Sequence, residues 1–173
     1  MSLLHHCAHH PSRRDFSLLL AGAGIIAATP FKARASGNID ALCVTCIDYR
    51  LVAANAPFFD HLNLHGEYDQ VSLAGASLAA VSPKFPSANA AFWDQLAIAK
   101  NLHHVQRLIV LDHRDCGAFK VAFGKDFAPS GAPETAQHKG VMAQVQQELA
   151  KRQPGLGSEF YLMALDGTAE RVL

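Results

Sequence analysis

Short apolar runs alternate with segments of helical periodicity along most of this 173-residue chain, and this alternation restricts the possible folds more than any other feature. The runs that predict strands are 41–46, 68–73, 107–112, 160–165 and a short last run at 171–173. Helices are predicted at 88–102, 117–123 and 135–152, and 51–64 is a crossover in which Pro57 limits any helix. We therefore expect an α/β fold: a central, mostly parallel sheet of about four strands flanked by helices, with a short C-terminal edge strand.

The first 35 residues have the features of an export signal. Ser12-Arg13-Arg14-Asp15-Phe16 resembles the twin-arginine signal, an apolar stretch covers 18–28, and Ala33-Arg34-Ala35 fits a cleavage site before Ser36. A membrane anchor is the alternative, but this stretch is far shorter than the roughly 20 residues that a spanning helix needs. We predict a cleaved signal at 1–35, a catalytic domain at 36–173, and twin-arginine export to the periplasm or another extracytoplasmic compartment without stable membrane anchoring.

The charge of the chain is unevenly distributed. The formal net charge is zero, while 1–35 carry four basic residues and one acidic residue, which leaves a mildly acidic remainder. This remainder has no Lys/Arg stripe, so we expect no nucleic-acid partner. Half of the residues are hydrophobic, which suits one globular domain with a core.

Two short segments carry the residues with metal-binding chemistry. Cys46-Ile47-Asp48-Tyr49-Arg50 follows the first strand, and His113-Arg114-Asp115-Cys116-Gly117 follows the third. Ligands of such sheets bind beyond the carboxyl ends of the strands, which would bring Cys46, His113 and Cys116 together. Two thiolates and one imidazole suit a catalytic zinc, whose fourth position stays open, better than magnesium or calcium. Copper and iron are not excluded by ligand type.

The cysteine count favours a metal over a disulfide framework. Removal of the signal leaves Cys43, Cys46 and Cys116, an odd number. Cys43 and Cys46 have a spacing known from redox and zinc sites. However, residues three apart on a strand face opposite sides, so Cys43 is predicted to pack in the core.

The pattern Cys-x-Asp-x-Arg, followed by His-x-x-Cys-Gly, resembles the β-class carbonic anhydrases, and the likeness extends over about residues 40–173. Ala74-Gly75 after the second strand adds a weaker match. The resemblance implies that Cys46, His113 and Cys116 bind Zn²⁺ and that Asp48 and Arg50 form a catalytic pair. It implies a zinc lyase, a carbonic anhydrase (carbonate dehydratase), that hydrates carbon dioxide reversibly to bicarbonate through a zinc-bound hydroxide. It also implies a homodimer or a higher homo-oligomer.

Three residues depart from the family's pattern. Tyr49 stands where the family commonly has Ser, and Ser72-Leu73 where it commonly has Arg-Asn. We interpret these changes as a remodelled wall facing the substrate. The alternatives are therefore a zinc hydrolase or lyase acting on COS, CS2 or a similar small molecule, and a non-catalytic zinc protein in which Asp48 closes the site. A redox protein using Cys43 and Cys46 is a further hypothesis.

Other polar residues are assigned simpler roles. Asp112, Arg114 and Asp115 are predicted to be loop charges, with Arg114 or Asp115 at the mouth of the site as an alternative. Histidines suit proton transfer near neutral pH. The following four are candidates, each with a surface or capping role as the simpler interpretation: His61, His65, His103 and His104.

Overall fold

The computed structural model describes residues 37–124, 126 and 131–173. The predicted export signal at 1–35 lies outside these residues, as does part of the connection before residue 131. Within the described part of the chain, no helix combines the length and apolar character needed to cross a membrane.

One five-stranded sheet forms the centre of the fold, in the order β2-β1-β3-β4-β5. The strands are β1 (Ala41–Thr45), β2 (Tyr68–Ser72), β3 (Arg107–His113), β4 (Gly157–Met163) and β5 (Ala169–Arg171). The first four are parallel to one another, and β5 pairs antiparallel with β4. The predicted fold class is confirmed. The strand order reverses between β1 and β3, and ligands of open α/β sheets bind at such a switch point.

Five α-helices are described around this sheet. They are α1 (Val52–His61), α2 (Ser77–Val81), α3 (Pro86–His103), α4 (Gly117–Phe123) and α5 (Ala132–Arg152). A 3₁₀ turn at Tyr49–Leu51 precedes α1. Pro57 lies inside α1 and does not end it. It is on the exposed side of the helix together with Ala53, whose carbonyl loses its helical partner and can face water.

Some boundaries differ from those predicted. Helix α2 was not predicted, because five residues are too few to show helical periodicity. Strand β4 begins at Gly157 rather than at 160, since its first residues are polar but still pair with β3. Strand β5 occupies Ala169–Arg171 rather than 171–173, in register with Tyr161–Met163.

The sheet buries apolar side chains on both faces. One face packs against α3 and α5, through Leu42, Val44, Leu108, Val110, Phe92, Leu96, Met142 and Val145. The other face packs against α1 and its preceding turn, through Ala41, Cys43, Ile109, Leu111, Leu51 and Phe59. Cys43 is fully buried in this second cluster, as predicted for a packing residue. The layers fix β1 and β3 side by side, and this places their carboxyl ends together.

Candidate metal centre

The register of β1 and β3 brings the two polar segments to one edge of the sheet. Thr45 pairs with Leu111, so Cys46 leaves β1 beside the end of β3, whose last residue is His113. Cys116 follows a short turn and caps the N-terminus of α4. Adjacent strands and one tight turn therefore supply all three side chains.

Ligand atoms of Cys46, His113 and Cys116 all lie within 4.8 Å of one another. The two sulfur atoms are 3.9 Å apart. His113 and Cys116 are buried, and Cys46 is half-buried. The group can hold a metal ion, and two sulfurs with one nitrogen are the donor set that zinc prefers.

The imidazole of His113 is oriented to offer one nitrogen to this cluster. Its Nδ1 is 2.8 Å from the carbonyl oxygen of Arg114, and a carbonyl only accepts, so Nδ1 carries the proton. The other nitrogen, Nε2, is buried and has no hydrogen-bond partner within the described structure. A buried imidazole nitrogen with a free lone pair beside two thiols fits a metal ligand.

The two thiols have opposed acidities. The neighbouring Cys116 thiol outweighs burial and lowers the pKa of Cys46 to about 4, with help from the Gly75 N–H, which donates to Cys46 Sγ at 3.3 Å. The pKa of Cys116 is raised by the nearby Cys46 sulfur and by burial. Two thiolates at this separation would repel each other, and a divalent cation would relieve the repulsion by bonding both.

Position 75, in the turn after β2, requires glycine. Its φ is +75°, and a Cβ would lie 2.9 Å from Leu78 Cδ1 and 3.0 Å from Ala118 Cβ. The Ala74-Gly75 motif therefore has a physical reason: it allows the backbone N–H to approach the Cys46 sulfur.

Asp48 and Arg50 form a two-pronged ion pair beside the cluster. Arg50 donates from Nε to Asp48 Oδ1 at 2.9 Å and from Nη2 to Asp48 Oδ2 at 2.7 Å. These hydrogen bonds lower the pKa of Asp48 to about 2. Asp48 Oδ2 lies 3.8 Å from His113 Nε2, so the carboxylate adjoins the candidate ligands. The assignment of catalytic and metal-binding roles to these residues stays a prediction.

Asp112 lies inside β3 and is not a loop charge, which corrects the expectation from sequence, whereas Arg114 lies in the turn after β3 as expected. Asp112 is buried and accepts from the Ser77 N–H at 2.9 Å, the Ser77 hydroxyl at 2.6 Å and His138 Nδ1 at 2.8 Å. Arg114 is also buried and pairs with Glu134 at 3.1 Å. Asp112 directly follows a buried apolar run, and this was the one sequence signal that could have indicated its burial. The partners of Asp112 could not be found in this way, because they lie on distant helices.

A cavity of about 300 Å³ opens beside the cluster. Its lining is mostly apolar and consists of Cys46, Ile47, Asp48, Ala74, Phe85, Gly117, Ala118 and Val121. Ile47 and Val121 remain exposed at this cavity. The space suits a small uncharged molecule next to the candidate ligands.

The three departures from the family's pattern lie in different surroundings. Tyr49 is 84% exposed, between Asp48 and Arg50 in sequence. Ser72 shares a hydrogen bond of 2.9 Å with Thr45, and Leu73 packs against the core. None of the three lines the cavity described above, and their interpretation as a remodelled wall facing the substrate stays a prediction.

The candidate proton-transfer histidines lie at the opposite edge of the sheet. His61 is the last residue of α1, and His65 lies between α1 and β2. His103 ends α3 and accepts from the Ile39 N–H at 3.0 Å, next to the start of β1, and His104 follows it. None of these four belongs to the cluster of Cys46, His113 and Cys116.

Comparison with known proteins gives two relatives by sequence. An uncharacterized protein of Rickettsia conorii is 32% identical over 131 residues, which cover 76% of this chain and 70% of that protein. An uncharacterized protein of Rickettsia bellii is also 32% identical over 131 residues, covering 76% of this chain and 80% of the relative. No family model matches the chain.

Comparison with solved structures identifies β-carbonic anhydrases. Isoform I of the β-carbonic anhydrase from Trichomonas vaginalis aligns with a TM-score of 0.51 and 15% identity, over 94% of this chain and 98% of that enzyme. The β-carbonic anhydrase CafA of Aspergillus fumigatus aligns with a TM-score of 0.48 and 14% identity, over 78% and 76% of the two chains. The first of these likenesses shows a β-carbonic-anhydrase-like fold.

Proposed function

We propose that this chain is a zinc enzyme catalysing the reversible hydration of carbon dioxide to bicarbonate. The chain belongs to the same family as the two rickettsial proteins. One observation carries this proposal: two thiols and an unpartnered, buried imidazole nitrogen converge beside an apolar cavity. The β-carbonic-anhydrase-like fold supports it.

Cys46, His113 and Cys116 would hold Zn²⁺. When bound, zinc supplies a nucleophile near neutral pH by lowering the pKa of water from about 15.7 to roughly 7. The chain's own contribution begins with the protonation state of His113, whose Nδ1–H bond to Arg114 leaves Nε2 free to bind.

Asp48 and Arg50 would set the orientation of the reacting water. Because the pKa of Asp48 is about 2, its side chain remains an acceptor-only carboxylate at working pH and can take a hydrogen bond from that water. Arg50 occupies both carboxylate oxygens of Asp48 and keeps the group from turning towards His113 Nε2.

The cavity would hold the substrate. Its walls, formed by Ile47, Ala74, Phe85, Ala118 and Val121, favour an uncharged molecule and offer little to an anion. Carbon dioxide enters such a space readily, whereas bicarbonate is poorly retained, which favours its release. COS and CS2 have the same linear shape and lack of charge, so a hydrolase acting on them is the second candidate.

Localisation and assembly are part of the proposal. Export by the twin-arginine route to the periplasm, with cleavage before Ser36, is supported by the motifs at 12–16 and 33–35. Assembly into a homodimer or higher homo-oligomer is supported by the exposed apolar side chains of Ile47, Tyr49 and Val121 near the site. N-terminal sequencing of the periplasmic form and its mass in solution test these two points.

The activity is tested on purified residues 36–173. Zinc content is quantified, and hydration of carbon dioxide is followed by stopped flow at pH 7–9, with COS and CS2 hydrolysis measured in parallel and Arg50→Ala as the comparison variant. The proposal predicts about one zinc per chain and hydration that Arg50→Ala strongly reduces. Zinc without hydration, but with COS or CS2 turnover, would select the second candidate. Zinc with no turnover of any substrate would indicate a non-catalytic zinc protein.

A further inference from the structure

We propose that Asp115 is a positioning residue that fixes Arg50, and through Arg50 the orientation of Asp48. The inference rests on the proposed function where it concerns activity, since the Asp48–Arg50 pair must serve the reaction. The contact itself is a feature of the chain's own geometry, so it can be tested without substrate.

Arg50 is held by two aspartates at once. Beyond the two bonds to Asp48, it donates from Nη1 to Asp115 Oδ2 at 2.9 Å and from Nη2 to the Asp115 carbonyl oxygen at 3.1 Å. Asp48 accepts from the Nε–H and from one Nη2–H of Arg50, so the two aspartates bind different N–H groups of the guanidinium. The planar guanidinium is therefore bound on both of its terminal nitrogens.

This second anchor matters because Arg50 is a surface residue. Its side chain is 31% exposed, and a long exposed side chain loses rotamer entropy when it is confined to one geometry. A pair with Asp48 alone would be tied to the backbone only through the Arg50 N–H, which donates to Asp48 Oδ1 at 3.0 Å and does not hold the guanidinium. Asp115 ties that pair to the β3–α4 turn, which also carries Cys116.

Asp115 is itself fixed from the protein interior. Its φ of +57° lies in the left-handed region, which is uncommon for a residue other than glycine. The Asp115 N–H donates to Glu134 Oε1 at 2.6 Å, and Glu134 is only 2% exposed. Glu134 also binds Arg114, so helix α5 holds the turn in place. Lys120 contacts the other Asp115 oxygen at 2.8 Å.

Loss of this anchor has a specific consequence. Without the Asp115 carboxylate, Arg50 keeps only its bonds to Asp48 and the one to the main-chain carbonyl of residue 115. The Asp48 carboxylate can then turn towards His113 Nε2, from which Oδ2 is already only 3.8 Å away. The position that a reacting water needs would then be shared with Asp48. Asp115 thus acts on the site through Arg50, although it need not touch the substrate.

The test uses Asp115→Gly, because glycine keeps the positive φ while the carboxylate is removed. Asp115→Asn is the second variant, since asparagine tolerates the same backbone and retains one acceptor oxygen. Lys120→Ala is the matched control: it removes the other partner of the Asp115 carboxylate and leaves Arg50 untouched. Thermal unfolding verifies that each variant is folded.

The first readout is the order of the Arg50 side chain, from ¹⁵N relaxation of its Nε–H group. We expect an ordered Nε–H in the parent chain and in Lys120→Ala, a mobile one in Asp115→Gly, and an intermediate one in Asp115→Asn. An equally ordered Arg50 in Asp115→Gly would overturn the proposal. This readout requires neither substrate nor turnover, so inactivity of the parent chain would refute the proposed function without deciding the role of Asp115.

The second readout is kinetic. We expect kcat to fall about tenfold in Asp115→Gly and to change less than about twofold in Lys120→Ala. In the Arg50→Ala background, Asp115→Gly should cause no further fall in kcat, because both substitutions remove the same interaction. A full additional tenfold loss in the double variant would show that Asp115 acts independently of Arg50.

Discussion

The sulfur atoms of Cys46 and Cys116 lie 3.9 Å apart although 70 residues separate them in the sequence. They meet because β1 and β3 are adjacent parallel strands whose carboxyl ends open at the same edge. Cys43, three residues before Cys46, is buried on the α1 side of the sheet with a different set of neighbours. The structure therefore separates the cysteines into a pair suited to a shared cation and one packing residue.

Substitution of single cysteines should distinguish these roles. We expect Cys116→Ser to lower bound zinc from about one per chain to near zero, because a serine hydroxyl is a poor replacement for thiolate. Cys43→Ser should retain zinc and lose only stability, since it buries a hydroxyl in an apolar cluster. Metal analysis of both purified variants measures this, and equal zinc loss in the two would contradict the assignment.

The Asp48–Arg50 pair should give stability that depends on pH. Arg50 lowers the pKa of Asp48 from its ordinary value of 3.8 to about 2. A carboxyl whose pKa is lower in the folded state stabilises the fold above the unfolded value, and this contribution is lost as the pH falls through the folded value. The pKa of Asp115 is lowered by Lys120 and then by Arg50, in the same direction.

The difference in unfolding free energy between the parent chain and Arg50→Ala should thus be largest above about pH 4 and shrink between about pH 4 and pH 2. Denaturant titrations of the metal-free proteins across this range measure it. A difference that stays constant, or grows as the solution becomes more acidic, would show that Arg50 does not stabilise these carboxylates.

Most of the architecture could be predicted from the sequence because strand and helix periodicity is local. The convergence of Cys46, His113 and Cys116 followed from two motifs and one rule about the edges of parallel sheets. The partners of Asp112 could not be predicted, since Ser77 lies on a helix too short for a periodic signal and His138 on another, distant helix. The double anchoring of Arg50 was also missed, because it depends on the positive φ of Asp115.

The buried Asp112 cluster should contribute to stability. Ser77→Ala removes the hydroxyl that donates to Asp112 at 2.6 Å and leaves that buried oxygen with one donor fewer, so unfolding free energy should fall by about 1–3 kcal/mol. Ser87 is exposed, and Ser87→Ala is the control, with an expected change within about 0.5 kcal/mol. Equal effects of the two substitutions in urea titrations would refute a special role for this hydrogen bond.

The apolar cavity should control access of the substrate. Val121 is exposed at its wall, so Val121→Trp can fill the space without disturbing the core, and the mass of the variant in solution verifies that its assembly is unchanged. We expect kcat/KM to fall at least about tenfold with zinc content unchanged, because a substrate displaced from the near-attack position loses most of its rate. Ile98→Trp, an exposed apolar position on α3, controls for a bulky surface residue and should have little effect. Equal kinetics in Val121→Trp and the parent chain would exclude the cavity from the reaction.

Cys46, His113 and Cys116 are proposed to hold one zinc ion and to leave a fourth position open. X-ray absorption at the zinc edge of the purified protein tests this proposal most directly. We predict two sulfur ligands at about 2.3 Å and two nitrogen or oxygen ligands at roughly 2.0–2.1 Å. One of the latter two is His113, and the other is neither a cysteine nor a histidine. Zinc-free protein from zinc-replete medium, or a shell of three or four sulfur atoms, would contradict the site described for this chain.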